Sequence, residues 1–278
     1  MTFIQELGRG AAWGLALLIF FVVGLFAFGA WHDEWSGYNA SVRVSDGFCN
    51  IAVIPLHAEI ASYTYFDEEG AEVLASTLDD FEFALRAAER DPHIHGVIVS
   101  IDSPGGSPYA GEAMANDLKR SPLPSAAVIR DVGASAAYWA ATGADTIIAS
   151  KVSDVGSIGV TMSYLENVRQ NEDSGLDYIE ITSAPYKDAG SPDRYLTDEE
   201  RSIFQEEIEK IHNEFVGQVA ENRGLSFDEV MALADGNTRI GSDALALGLI
   251  DAIGDKESAR VWLAGELGWE ADEAVLCE

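Results

Sequence analysis

"SAAVIRDVGASAAYWAATGADTIIAS", Ser125 to Ser150, decides the fold. "SAAVIRD" is an apolar run with the length of a strand, "GASAAYWAATGA" is a tight small-residue turn followed by a helix, and "DTIIAS" is a strand again. The same rhythm precedes it. "HGVIVSID" (His95 to Asp102) reads as a buried strand, "SPGGS" as a turn and Tyr109 to Lys119 as a helix. Further upstream lie a strand, "NIAVIPL" (Asn50 to Leu56), and a helical pattern from Ala71 to Arg90, with Val73, Leu74, Leu78, Phe81, Phe83, Ala84 and Ala87 at near-helical spacing.

Downstream the reading is "LDYIEITS" (Leu176 to Ser183) as a strand, a loop to Leu196, and a long acidic amphipathic helix to about Asn222. Thr197 opens that helix, with Glu200 three residues on as a capping box. "DGNTRIGSDALALGLID" reads as a turn and a short helix, and Lys256 to Leu267 as the last helix. This βαβα succession predicts an α/β fold, a mainly parallel sheet flanked by helices, with functional groups at turns after strand C-terminal ends. No internal repeat interrupts it, so the expected organisation is one soluble domain, 48–278.

Asp and Glu number 47 against 17 Lys and Arg, a formal net charge of -30, which sets nucleic acid aside as a partner. Only five residues are lysines, and so acidic a surface suits either high salt, where counterions screen self-repulsion, or ordinary solubility. The two cysteines, Cys49 and Cys277, form no CxxC spacing and have no nearby histidine pair, so no metal and no cofactor are expected. Two free thiols are the expectation; an oxidising compartment would allow a disulfide instead.

From Ala11 to Trp31, "AAWGLALLIFFVVGLFAFGAW" carries no charge and matches the hydrocarbon thickness of a bilayer as a helix. It reads as a transmembrane anchor after a short N-terminus (1–10) and before a polar linker (32–47). A cleaved signal peptide is the competing reading, since Ala27 and Gly29 offer a small-x-small site. Arg9 on one side and Asp33 and Glu34 on the other put the N-terminus in the cytoplasm and the soluble domain outside the cell membrane.

Within the opening stretch, Ser135 stands after a strand and before a helix, as in a GxSxG elbow with Ala137 at the last position. The N–H of Ala136 would meet a developing oxyanion, and the adjacent Gly105 and Gly106 of "SPGGS" would expose further donors. Both turns also read as simple small-residue packing. A serine nucleophile needs a base. His32 abuts the membrane segment, His93 and His95 precede a strand at its opposite end, and His212 reads as a face of the charged helix. His57 is left. Of the lysines, Lys119, Lys210 and Lys256 read as helix-surface residues, leaving Lys151 and Lys187. A lysine base must be neutral near the working pH, a lowering of about three pKa units that costs on the order of 4 kcal/mol. Asp188 beside Lys187 opposes this unless the two side chains point apart.

The blocks "GVIVSIDSPGGSPYAGEAM", "DVGASAAYWAATGADTIIASKVSDVGSIGV", "APYKDAGSPDRYLTDEE" and "DGNTRIGSDALALGLIDAIGD" resemble, in order and spacing, the signal peptide peptidase A (protease IV) family of Ser/Lys serine peptidases, whose fold is related to Clp protease and the crotonases. The resemblance runs from about Asn50 to Glu257. It implies Ser135 as nucleophile and Lys187 as general base, with Gly105 or Gly106 and Ala136 forming the oxyanion hole. Ala136 and Ala137 stand where the family often has Gly-Gly. The resemblance also implies a homo-oligomeric ring, serine and lysine being drawn from one subunit or two, that degrades unfolded apolar peptides such as signal-peptide remnants. An inactive ring-forming scaffold and a crotonase-like acyl-CoA enzyme are the alternatives.

Overall fold

Residues 45–67 and 69–277 are described by a computed structural model. Their sheet follows the apolar runs. β1 (Ile51–His57), β4 (Gly96–Ser103), β5 (Ser125–Ala134) and β6 (Thr146–Ala149) lie side by side and parallel. β10 (Leu276–Cys277) pairs parallel with β1 at one edge and β9 (Ala252–Ile253) with β6 at the other. The first halves of β4 and β5 are near-continuous apolar, buried runs because both faces are covered there. In β4, Val97, Val99 and Ile101 enter the larger core beneath α1 (Leu78–Arg90) and α2 (Pro108–Arg120), while Ile98 points the other way onto α8 (Lys256–Leu267) with its Ala259, Leu263 and Ala264.

β2 (Glu59–Ala61) and β3 (Ala75–Thr77) form a short parallel pair, and β3 occupies part of the stretch expected to be helical. Thr77 caps α1 by accepting from the N–H of Asp80, so the helix begins only at Leu78. The long acidic helix is α5 (Asp198–Arg223), and both halves of the Thr197–Glu200 capping box are present. Between α3 (Ala136–Ala141) and α5 lie β7 (Asp154–Gly156) and α4 (Val168–Asp173). After α5 come α6 (Phe227–Leu233), β8 (Thr238–Ile240), which is antiparallel to β7, and α7 (Gly241–Ala246).

Two further expectations need correction. "LDYIEITS" is not a strand: no described strand pairs with it, and its Ile179 and Ile181 are 78% and 93% exposed. The two cysteines are not free. Pairing of β10 with β1 sets Cys277 opposite Ala52, close enough to Cys49 for a Cys49–Cys277 disulfide, Cα–Cα 5.1 Å, with both residues buried. The expected anchor, Ala11 to Trp31, lies outside the described residues; among the described residues no helix is long and apolar enough to cross a membrane.

Candidate active site

β5 is bent before it reaches its serine. Ile101 pairs with Ile129 but Ser103 with Gly133, so β5 carries extra residues against β4 and its end turns from β6 to β7. Bulges of this kind re-aim the chain at a sheet rim. Ser135 follows at φ 52 and ψ -125, a conformation that costs a residue with a Cβ about 1–3 kcal/mol. Its N–H donates to the carbonyl of Gly156 at 2.7 Å, which holds the turn.

Small-residue packing and a half-buried serine are parts of one arrangement. A Cβ on Gly111 would lie 2.6 Å from the carbonyl oxygen of Ala136, and one on Gly143 would lie 2.1 Å from that of Ala115, so α2 and α3 touch backbone to backbone. α3 is buried throughout, and Tyr138 donates to the carbonyl of Leu249 at 2.8 Å. Ser107, at the start of α2, spends its hydroxyl on the N–H of Ala110. Ser135 precedes α3 but makes no such cap, so its hydroxyl, without a hydrogen-bond partner among the described residues, lines a cleft.

The glycine turn closes on this serine. A Cβ on Gly105 would fall 2.7 Å from the Ser135 Cβ and 2.9 Å from the Ala136 nitrogen. Most of the turn's backbone groups are engaged: Gly105 N–H donates to Ser103 Oγ at 3.2 Å, Ile60 N–H to the Gly105 carbonyl at 2.8 Å, and Ser107 N–H to the Ile60 carbonyl at 2.8 Å. The N–H of Gly106 has no partner among the described residues, and that of Ala136, first in its helix, has no intrahelical acceptor. Of the two glycines, Gly106 therefore has the donor to offer.

The cleft measures about 640 Å³, and Gly106, Ser135, Ser157, Glu209, His212 and Asp235 are among the residues that line it. Ser157, at φ 51, donates its hydroxyl to the Gly236 carbonyl at 2.9 Å. Lys187 does not line the cleft of its own chain. It sits exposed on a turn where its N–H donates to the Ala184 carbonyl at 3.2 Å. The adjacent carboxylate is turned elsewhere: Asp188 accepts from Arg194 at 3.1 Å and from the Tyr178 hydroxyl at 2.8 Å, and no ion pair forms with Lys187. Arg194 is clamped in turn on Glu200 at 2.5 Å, so the lysine-bearing loop is fastened to the start of α5.

The other candidate bases stand away from the cleft. Lys151 is exposed in the turn after β6. His57 ends β1 beside Arg130, at 3.5 Å; burial first and that guanidinium second push its imidazole below the usual histidine range. His212, expected to be a solvated face of the charged helix, lines the cleft instead, with its Nε2 buried and unpartnered. Its signal was the spacing Gln205, Ile208, Glu209, His212, which continues the apolar stripe of Phe215, Val216 and Val219 toward the helix start.

Comparison with known proteins assigns this α/β chain to a family. The chain belongs to peptidase family S49, whose pattern matches residues 117–269, and is a serine-type peptidase. A protein of Methanocaldococcus jannaschii named as a protease is 33% identical over 254 residues, 88% of this chain and 79% of its own. An Enterococcus faecium protein named as a signal peptide peptidase SppA is 31% identical over 183 residues, 65% of this chain and 53% of its own. Among solved structures, a mutant of the 1510-N membrane-bound stomatin-specific protease shares the fold, with a TM-score of 0.53 over 83% of this chain and 93% of that one, at 16% identity.

Proposed function

We propose that the protein is a membrane-anchored endopeptidase in which Ser135 is the nucleophile, Lys187 of an adjacent subunit is the general base, and unfolded apolar peptides are the substrates. The observation that carries this reading is Ser135 itself, held at positive φ with an uncommitted hydroxyl beside two uncommitted backbone donors. Ser135 Oγ attacks the peptide carbonyl and gives its proton to the neutral Lys187 amine. The carbonyl oxygen, now an anion, is held by the N–H groups of Gly106 and Ala136. The lysine ammonium then protonates the leaving amine, and a water deprotonated by the lysine releases the acyl group from Ser135.

Pairing between subunits is supported by the location of Lys187, on an exposed turn outside its own cleft. The surrounding segment exposes Leu165, Leu176, Ile179 and Ile181, apolar surface that is stabilised by being covered. A ring of copies would cover it and take the lysine out of water, as a lysine base requires. An extracytoplasmic domain, 48–278, behind the helix 11–31 and the linker 32–47 accords with the Cys49–Cys277 disulfide, since such bonds persist in oxidising compartments. A role as inactive scaffold would give no reason to keep a strained serine hydroxyl unbonded.

The test uses the detergent-solubilised full chain and a quenched unstructured peptide. Ser135→Ala and Lys187→Ala are each expected to be inactive. When they are co-assembled in equal amounts, a site regains both groups with probability one half times one half, so about a quarter of wild-type activity returns whatever the ring size. Mixed rings that stay silent would overturn the pairing between subunits, and full activity of Lys187→Ala alone would overturn the dyad.

A further inference from the structure

α5 serves the core with one half and the cleft with the other. Near its C-terminal end the stripe Phe215, Val216, Val219 and Ala220 is buried, and Phe215 stacks on Trp139 of α3 with ring centroids 4.4 Å apart. Toward the N-terminus the same stripe continues as Gln205, Ile208, Glu209 and His212, and all four line the cleft that holds Ser135. The helix thus leaves the core and becomes a wall. Spacings of three and four residues keep those side chains on one face.

The charge on this wall is of one sign. Glu209 and Asp235 line the cleft, and no lysine or arginine does so among the described residues. Asp235 is already answered: it accepts from Arg239 at 3.0 Å and from the N–H of Asn237 at 2.9 Å, and the guanidinium foremost holds its carboxyl down at about 2. Glu209 accepts from the neutral amide of Gln205, at 3.0 Å, and pairs with no lysine or arginine of its own chain among the described residues. One turn on, the buried Nε2 of His212 is also without a partner among the described residues, a polar atom that a bound ligand or water would satisfy.

We propose that Glu209 is a specificity-determining residue that selects peptides carrying a lysine or arginine side chain close to the scissile bond. A long cationic side chain suits the wall because its hydrocarbon stem can lie along Ile208 while its charged end reaches Glu209. Such peptides still present apolar neighbours to the rest of the cleft. The inference rests on the reading of Ser135 as the nucleophile.

The experiment profiles the assembled full chain with quenched peptides that differ at single positions flanking the cleavage site, lysine against norleucine against glutamate. The wild type is expected to favour lysine over norleucine by about fivefold in kcat/KM at one position, the scale of a partly exposed charge pair, and the ratio should shrink with added salt. Glu209→Gln should bring that ratio to within about twofold of unity, and Glu209→Lys should invert the order of lysine and glutamate. Glu206→Gln, which removes an exposed carboxylate paired with Lys210 on the same helix, should leave the ratio alone. A wild type that cleaves all peptides equally, or a ratio that survives Glu209→Gln, overturns the role of Glu209 and leaves the peptidase standing. Turnover of no peptide, together with no labelling of Ser135 by a fluorophosphonate, overturns both.

Discussion

Gly106→Ala tests the oxyanion turn through backbone geometry alone. Gly106 lies at φ 153, and a Cβ there would stand 2.1 Å from the carbonyl oxygen of Ile60 and 2.8 Å from its nitrogen, where ordinary contact begins at 3.4 Å. Ile60 cannot retreat easily, because its N–H is bonded to Gly105 and its carbonyl to Ser107, both at 2.8 Å. The methyl group therefore drives the turn away by roughly 1 Å, a displacement large enough to cost about a hundredfold in a reacting geometry. Loss of one oxyanion donor costs about 100- to 1,000-fold, or ~2.7–4 kcal/mol, so kcat/KM should fall by at least about two orders of magnitude. Backbone strain adds about 1–3 kcal/mol of lost stability, which thermal unfolding would register separately. Gly70→Ala is the control: Gly70 also has positive φ, 80, but nothing lies within 4 Å of its added Cβ, so it should lose stability and keep activity. A folded Gly106→Ala protein whose kcat/KM stays within about threefold of wild type would refute the assignment of the Gly106 N–H to the oxyanion.

The disulfide and the lysine-bearing loop supply two further tests. Cys49–Cys277 closes a span of 228 residues, for which chain entropy alone gives about 5 kcal/mol, so the Cys49→Ser/Cys277→Ser protein should melt on the order of 10 °C lower than the oxidised protein; an unchanged Tm would remove the bond from the stability of the fold. Glu200 is held down at about 2 against an ordinary 4.5, chiefly by the Arg194 guanidinium and then by the Thr197 N–H. A depressed folded-state value means that the clamp's contribution is complete above pH 4.5 and is lost as pH falls toward 2. Hydrogen exchange should show the segment around Asp188 and Arg194 loosening across that window, and Glu200→Gln should be loose already at neutral pH; identical profiles in the two proteins would contradict the clamp.

What could be read from the sequence was what a residue does with its own neighbours in the chain. The run "GVIVSIDS" announces a strand buried on both faces, and Thr197 with Glu200 announces the start of a helix, because period and cap are local. The turn at Ser135 was legible as a place, but its meaning lay in backbone groups: which groups of the facing glycine turn are engaged depends on Ile60, brought in from another element. The disulfide depended on β10 finding β1 across nearly the whole chain, and no spacing encodes that. His212 was misplaced because a mixed helix face does not reveal where the core ends and a cleft begins.

The failed strand follows from the same physics. Leu176 to Ser183 is rich in residues that favour strands, yet such a preference does not make a strand by itself, because a ladder requires a second backbone to bond with. None of the described strands supplies one, and Ile179 and Ile181 are left in water on the segment that carries Lys187. Each apolar side chain left uncovered there forgoes roughly 1.5–3 kcal/mol of burial. In the proposed ring the contact that covers them also delivers the lysine to Ser135, so the residues whose pattern misled the single-chain reading are those whose partners belong to another copy. The catalytic base and the subunit interface would then be inseparable: a substitution that uncovers Ile179 and Ile181 should abolish turnover while leaving the fold of each chain intact.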